Sequence, residues 1–364
     1  MKNLENILNE KDRLRIGSVG IDISEKDRSG TFIQIDHSIV HQVSHYEGLE
    51  VMATSLACEK YPFLSEYLWR AVNFDLDEYT KAVQSFPHTN GYFIRALPGV
   101  KSTYPLQACL FIGKDGLVQN VHNIIIAEEG SELNIITGCT TASYVKKGLH
   151  IGISEFFIKK GAKISFTMIH SWAEDVSARP RTCAIVEEDG AFVSNYICLK
   201  PVRSLQMYPT TRLIGNSSLA RYNSILYSHS GSNLDVGSRI ILSAPNTKGE
   251  AITRAISSGG KIISRGHLIG ETPNVKAHLE CRGLILKDGV IHAIPELEGK
   301  ASDVELSHEA AVGKINKEEI EYLMARGLPR DEAISTIVRG FMDTKIMGLS
   351  PSLTYEMDKV IRSL

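Results

Sequence analysis

No two cysteines of this chain stand in a C-x-x-C pair. That absence removes the compact zinc ribbon and the ferredoxin-type motif, whose ligands need that spacing. No apolar run approaches the roughly 18 residues that suggest a membrane span. The first residues, MKNLENILNEKDRLRIG, are charged throughout and lack the apolar stretch of a signal peptide, so a cytoplasmic location is expected. Neither sign of charge dominates: 40 basic residues face 42 acidic ones, a net charge of −2. Such a balance gives no electrostatic reason to expect bulk binding of nucleic acid or of an anionic membrane. Phosphate-loop, G-x-S-x-G, H-E-x-x-H and dinucleotide fingerprints are all missing; Gly299-Lys300 is followed by Ala301 and Gly313-Lys314 by Ile315. The chain is therefore not expected to be an ATPase, and the easiest hydrolase readings fall away.

What is present is a chain of 364 residues, 43% hydrophobic, which is enough for a substantial core. Its texture divides into three regions. Residues 1–85 form an N-terminal, partly helical region. There SLACEKYPFLSEYLWRAV places Leu64, Tyr67, Leu68 and Val72 at helical spacing, with Pro62 in an early turn. No element is assigned before Glu47. Residues 86–305 read as short β runs with glycine breaks: GYFIRAL, ACLFIG, NIIIAEEG, SELNIITG, EFFIKKG and AKISFTMI, continuing to GLILKDG. Gly130, Gly161 and Gly190 each follow a charged pair, 31 and 29 residues apart, and each permits a turn of positive φ before an alternating strand. A repeat of about 30 residues without intervening helices favours a β-solenoid over a βαβ sheet, with a β-sandwich as the alternative. Residues 306–364 turn helical. Asn316 before Lys317-Glu318-Glu319 is an N-cap, and Ile320, Leu323 and Met324 form a stripe ended by Gly327 and Pro329. A second helix carries Ile334, Ile337, Val338 and Phe341. A third carries Leu353, Met357, Val360, Ile361 and Leu364. Capping of the solenoid's open end is the plain structural role for these helices.

This arrangement, with several strings in order, resembles the SufB/SufD family. The stretch LSHEAAVGKINKEEIEYLMARGLPRDEAISTIVRGFM is similar to that family's most recognisable segment, a His-containing turn leading into helices. GYFIRALPGVKSTYPLQ, ITGCTTASYVKKGLHIGISEFFIKKGAKISFTMIHSW and LSAPNTKGEAITRAISSGGKIISRG agree in order and spacing, over about residues 50–345. The resemblance implies a right-handed parallel β-helix flanked by helical regions. It also implies iron–sulfur cluster building with a partner SufC-type ABC ATPase that docks on the C-terminal helices.

The same resemblance implies the site residues. Cys281, in HLECRGLIL, stands where SufB-type members carry the cysteine of the cluster-building interface; thiolate is the usual protein ligand of such clusters. His308 and Glu309 match the His-Glu pair of SufB members, whereas SufD members have the histidine without the glutamate. Glu298, and with it Glu296, fall near the matching acidic position. Cys139, in ITGCTTA, matches the cysteine that accepts sulfur from a sulfurtransferase, chemistry that needs an accessible, activated thiolate. Without the family context, a lone cysteine reads as a small buried hydrophobe and Ser-His-Glu as a helix cap. The sulfur path departs from the family pattern. Phe111 and Gly113 stand where an arginine and an asparagine are expected, and His170 where glutamine is common, although Trp172 agrees.

The expected function is thus a SufB-like, non-catalytic scaffold subunit that builds a transient cluster, [4Fe-4S] in type, and hands it to apo-proteins. One chain offers one interface cysteine, whereas a cluster usually takes four protein ligands. A homodimer through the β-helix core is therefore favoured, with a heterodimer with a SufD-like chain as the close alternative. Three rivals stay open. They are a structural SufD-like partner without ligands, a carbohydrate-cleaving β-helix enzyme with paired carboxylates, and a zinc site at Cys281 and His308.

Overall fold

The computed structural model describes residues 8–87 and 89–342. The chain opens with α1 (Glu10–Ser18), β1 (Gly30–Ile35), β2 (Ser38–Ser44), β3 (Leu49–Ala53), α2 (Thr54–Lys60), a 3-10 turn (Pro62–Glu66) and α3 (Glu78–Ser85). The body follows: β4 (Tyr92–Ala96), β5 (Leu106–Ile112), β6 (Val118–Ala127), β7 (Glu132–Thr141), β8 (Lys147–Ile158), β9 (Lys163–Ser171), β10 (Asp175–Val186), β11 (Ala191–Cys198), β12 (Ser204–Met207) and β13 (Thr210–Leu213). It continues through β14 (Leu219–His229), β15 (Asn233–Leu242), β16 (Lys248–Ser258), β17 (Lys261–Gly270), β18 (Val275–Leu286), β19 (Val290–Gly299) and β20 (Val304–Lys314). Two helices close the described chain, α4 (Lys317–Ala325) and α5 (Arg330–Met342). Among the described residues, no helix is long and apolar enough to cross a membrane.

The body is a β-solenoid. Successive strands alternate between two sheets, ordered β2-β1-β5-β7-β9-β11-β14-β16-β18-β20 and β19-β17-β15-β12-β10-β8-β6-β4-β3. Each coil lays its strand parallel to the one before: Glu132 pairs with Lys163 and Lys163 with Ala191, offsets of 31 and 28 residues. Alternating side chains turn inward and stack between the sheets, where Phe156 lies 4.8 Å from Phe166 and 5.0 Å from Phe192 by ring centroid. Full burial of one such ring is worth roughly 2–3 kcal/mol, and the stack repeats coil after coil. This is the expected solenoid.

The strand body extends beyond its expected bounds. It begins at β1 rather than at residue 86, and it ends at Lys314 rather than at 305. β1 pairs in parallel with β5, so the N-terminal region supplies sheet as well as helix. Of the three turn glycines, Gly130 and Gly161 have positive φ, but at the third corner Asp189 takes that conformation (φ 54°). Gly190 is instead a close-approach position, since a Cβ there would meet the Glu187 carbonyl oxygen at 2.9 Å.

The continuous helix expected over SLACEKYPFLSEYLWRAV is broken. Pro62 has no N–H to give and pushes Tyr61 to an extended ψ of 95°, so α2 stops and a 3-10 turn follows. Leu64 and Val72 are still buried. What holds the segment after the turn is Glu155 on the outer side of β8. Its carboxylate accepts N–H bonds from Trp69 (2.7 Å), Ala71 (2.6 Å) and Val72 (3.0 Å), and meets His122 Nε2 at 2.7 Å.

At the C-terminus Asn316 caps α4 as expected, accepting from Glu318 N at 3.0 Å, and Gly327 (φ 95°) ends the turn after it. Ile320 is buried, Leu323 half-buried and Met324 exposed. Val338 and Met342 of α5 join the main apolar cluster. The expected third helix, with Leu353, Met357, Val360, Ile361 and Leu364, lies outside the described residues.

Candidate functional site

The solenoid ends in two strands, β19 and β20, that are paired on one side only. His308 and Glu309 lie in β20, and Glu296 and Glu298 in β19. The His-Glu pair therefore sits in neither a turn nor a helix cap; the cap is Asn316, eight residues on from His308. Cys281 lies one strand inward, in β18, directly beside Ala310 of β20.

Strand alternation then sorts the five residues. Cys281 turns between the sheets, 6% exposed, with its thiol 3.2 Å from Ser264 Oγ of the opposite sheet. His308 pairs with Leu279 and so shares the face of Cys281. Glu309 pairs with Glu280 on the other face and ends an ion chain: Arg254 to Glu280 at 2.8 Å, Glu280 to Arg282 at 2.7 Å, Arg282 to Glu309 at 3.1 Å. Glu298 meets His267 at 3.6 Å and Lys300 at 3.5 Å, and Glu296 pairs in register with His267. Both belong to the outer face of the second sheet. One chain thus brings Cys281 and His308 to one face and turns the three carboxylates away from it. Among the described residues, no three His, Cys, Asp or Glu side chains converge on a metal-sized site. The carboxylates Glu280, Glu298 and Glu309 are tied to cations, which does not suit an acid–base pair for glycoside cleavage.

Electrostatics at Cys281 is divided. Burial pushes its thiol above the ordinary range; the Ser264 hydroxyl and the Arg254 guanidinium pull it back. Apolar side chains surround the open end: Val312 is 40% and Leu297 38% exposed. Unpaired edge strands carrying exposed apolar residues are a template for another chain.

Cys139 lies elsewhere, in β7, between Leu110 and His170 in the inward-facing column. It is 1% exposed, and burial, with Cys109 nearby, pushes its thiol well above the ordinary range. Outside it, α1 seals the strand: a Cβ on Gly138 would meet Val19 at 2.5 Å. The accessible, activated thiolate that sulfur acceptance calls for is not the resting state of this residue. Phe111 and Gly113 are used by the N-terminal strands instead, the Phe111 carbonyl accepting from Asp36 N and Gly113 N donating to Asp36 Oδ1 at 2.7 Å.

Sequence reasoning missed an aromatic group inside the solenoid. His150, His170 and Trp172 pack together with centroids 5.1–6.2 Å apart, and the Tyr196 hydroxyl meets His170 Nδ1 at 2.9 Å. Burial drives both imidazoles toward the neutral form, His150 to about 3 and His170 well below the ordinary value, with His150 adding to the latter. The polar residues in the strings H-I-G and I-H-S-W carried the signal, but only the coil register shows that they meet.

The SufBD core domain of SUF-system iron–sulfur cluster assembly matches residues 110–341. An iron–sulfur cluster assembly SufBD family protein of Archaeoglobus fulgidus is 52% identical over 351 residues, 96% of this chain and 94% of that one. A homologue from Methanothermobacter thermautotrophicus is 49% identical over 348 residues, 94% of this chain and 85% of its own length. A more distant SufBD family protein of Pyrococcus horikoshii is 30% identical over 360 residues, 96% and 79% of the two chains. With the family model over residues 110–341 and near-complete alignment to these relatives, the chain belongs to the SufBD family and has a role in iron–sulfur cluster assembly.

Proposed function

We propose that this chain is a SufB-like, non-catalytic scaffold on which iron–sulfur clusters are built between the open ends of two copies. The observation that carries the reading is the pair of unpaired edge strands, β19 and β20. They hold Glu296, Glu298, His308 and Glu309 and stand beside the lumenal Cys281. A single chain gathers too few donors, and a two-fold axis at this edge doubles each of them. Two Cys281 thiolates and two His308 imidazoles would hold a cluster less firmly than four thiolates, which suits a cargo that must leave for apo-proteins. Glu296, Glu298 and Glu309 face away within one chain and would join as ligands only across the two-fold edge. The proposed cluster is [4Fe-4S] and the proposed working compartment is the cytoplasm. Cys281 must rotate off Ser264 and lose its proton to ligate iron, so loading is expected only while the edge is open to the partner. A SufD-like second chain on the same edge is the alternative partner. Replacing Val312 by Asp puts a charge into this edge at a position already 40% exposed. The variant is expected to stay folded, sediment as a monomer and lose cluster retention; a normal dimer with normal loading would refute the edge as the meeting surface.

A SufC-type ATPase is assigned to α4 and α5, where Tyr322 and Met324 leave apolar surface exposed. A charge buried at an interface costs several kcal/mol unless paired, which is enough to dissociate a micromolar complex. Met324→Asp is accordingly expected to accept a cluster chemically yet fail to co-purify with the ATPase or stimulate its turnover. Undisturbed ATPase binding would move the docking surface elsewhere. Cys139 remains the proposed sulfur acceptor, with its donor open.

A further inference from the structure

Inside the solenoid, the ring nitrogens His170 Nε2 and Trp172 Nε1 are buried without a hydrogen-bond partner. Both side chains are more than nine-tenths buried. His170 stands between two thiols in the same column, Cys139 on β7 and Cys198 on β11. In-register neighbours on parallel strands lie about 4.8 Å apart, so each sulfur is one side-chain rotation from the ring. The two thiols are not equivalent. Cys198 is engaged by the Tyr196 hydroxyl, and that same hydroxyl meets His170 Nδ1 at 2.9 Å. With Nδ1–H donating to the Tyr196 oxygen and the tyrosine hydroxyl turned to Cys198, the Nε2 lone pair is left for Cys139.

We propose that His170 is the proton acceptor that activates Cys139, and that the sulfur donor is a small anionic polysulfide or persulfide rather than a docked protein. The inference rests on the reading of Cys139 as sulfur acceptor. At 1% exposure Cys139 is beyond the reach of a protein's catalytic loop. A cavity of about 750 Å³ has Trp172 in its wall, the ring that also packs on His170. Arg15, Lys146 and Lys200 line it against Glu174 and Asp175, a balance of one positive charge that favours an anion. In the transfer, the Cys139 S–H proton passes to His170 Nε2 as the sulfur attacks the outer sulfur of R–S–SH. The donor's S–S bond breaks and its electron pair leaves on RS⁻, which takes the proton back from the imidazolium. Cys139 ends as the persulfide and the donor as RSH, with no net oxidation. Neither group is charged at rest, in keeping with a site where burial disfavours ions. The groups facing His170 are Cys139, His150, Tyr196 and Cys198.

The test exposes the full-length protein to inorganic polysulfide and follows the added sulfur atom on the Cys139 peptide by mass spectrometry from pH 7 to 9. Wild type is expected to load Cys139 at a rate nearly independent of pH, because neutral imidazole is present throughout. His170→Gln is expected to load about a hundredfold more slowly at pH 7, and about tenfold faster for each pH unit gained, since its thiol must ionise unaided. Tyr196→Phe keeps the ring packing, loses the hydroxyl that orients His170 and is expected to slow by about tenfold; it decides the matter where the glutamine variant fails to fold. Wild-type rate and pH dependence in a folded variant overturns the inference, as does loading at Cys198 in place of Cys139. Failure of the underlying reading looks different: Cys139→Ser would build clusters from polysulfide as fast as wild type, whatever His170 does.

Discussion

Cys281→Ala, reconstituted anaerobically with iron and sulfide, is expected to emerge folded and colourless. Among the described cysteines it alone lies in the last two coils of the solenoid; Cys109, Cys139, Cys183 and Cys198 belong to earlier ones, and Cys58 to α2. Its loss would take the thiolate from both halves of the proposed two-fold site and leave only imidazole and carboxylate, which do not by themselves hold an iron–sulfur cluster. The structural cost is small. One sulfur disappears from a position against Ser264, worth on the order of 1 kcal/mol of buried area. Cys198→Ala removes a lumenal thiol far from the edge and should keep its cluster. Undiminished labile sulfide in the Cys281 variant would sink the ligand assignment.

Glu155→Ala is expected to be the most destabilising single change outside the apolar stack. The carboxylate is fully buried and satisfies three backbone N–H groups and one histidine at once. Taking it away strands all four in a dry site. Breaking a buried charged network by removing one partner costs about 3–5 kcal/mol, seen as a lower urea midpoint at unchanged slope. Trp69, held at φ 58°, would be released with it, so hydrogen exchange should rise at residues 69–72 before it rises in the sheets. A loss below about 1 kcal/mol would show that the segment is held by its apolar contacts, Leu64 and Val72 chief among them.

The solenoid was legible because its signal is repetitive: inward alternation and a corner every 28 to 31 residues recur through the chain. Its first coil was not, since β1 and β3 are short and find their partners, β5 and β4, far along the chain. The helix over residues 55–72 misled because its apolar spacing is real while Pro62 and the anchoring of residues 69–72 by Glu155 are backbone effects. At the site, residue types were readable from the family strings, but facing was not. Whether Glu309 looks with Cys281 or away from it depends on strand register, and one residue of slip exchanges the faces. The His150–His170–Trp172 group is hidden for the same reason, its members coming from both sheets. The burial of Cys139 likewise follows from register, which turns it into the lumen between Leu110 and His170 while its neighbour Gly138 faces outward onto Val19.

The central claim is that the cluster forms between two chains at the open end. Its most direct measurement is iron and acid-labile sulfide across a size-exclusion profile of the anaerobically reconstituted protein, with absolute mass read by light scattering in the same run. The account predicts iron and labile sulfide together in the dimer fraction, one cluster for two chains, and none in the monomer fraction. Labile sulfide eluting with monomers, or bound metal without labile sulfide, would contradict it.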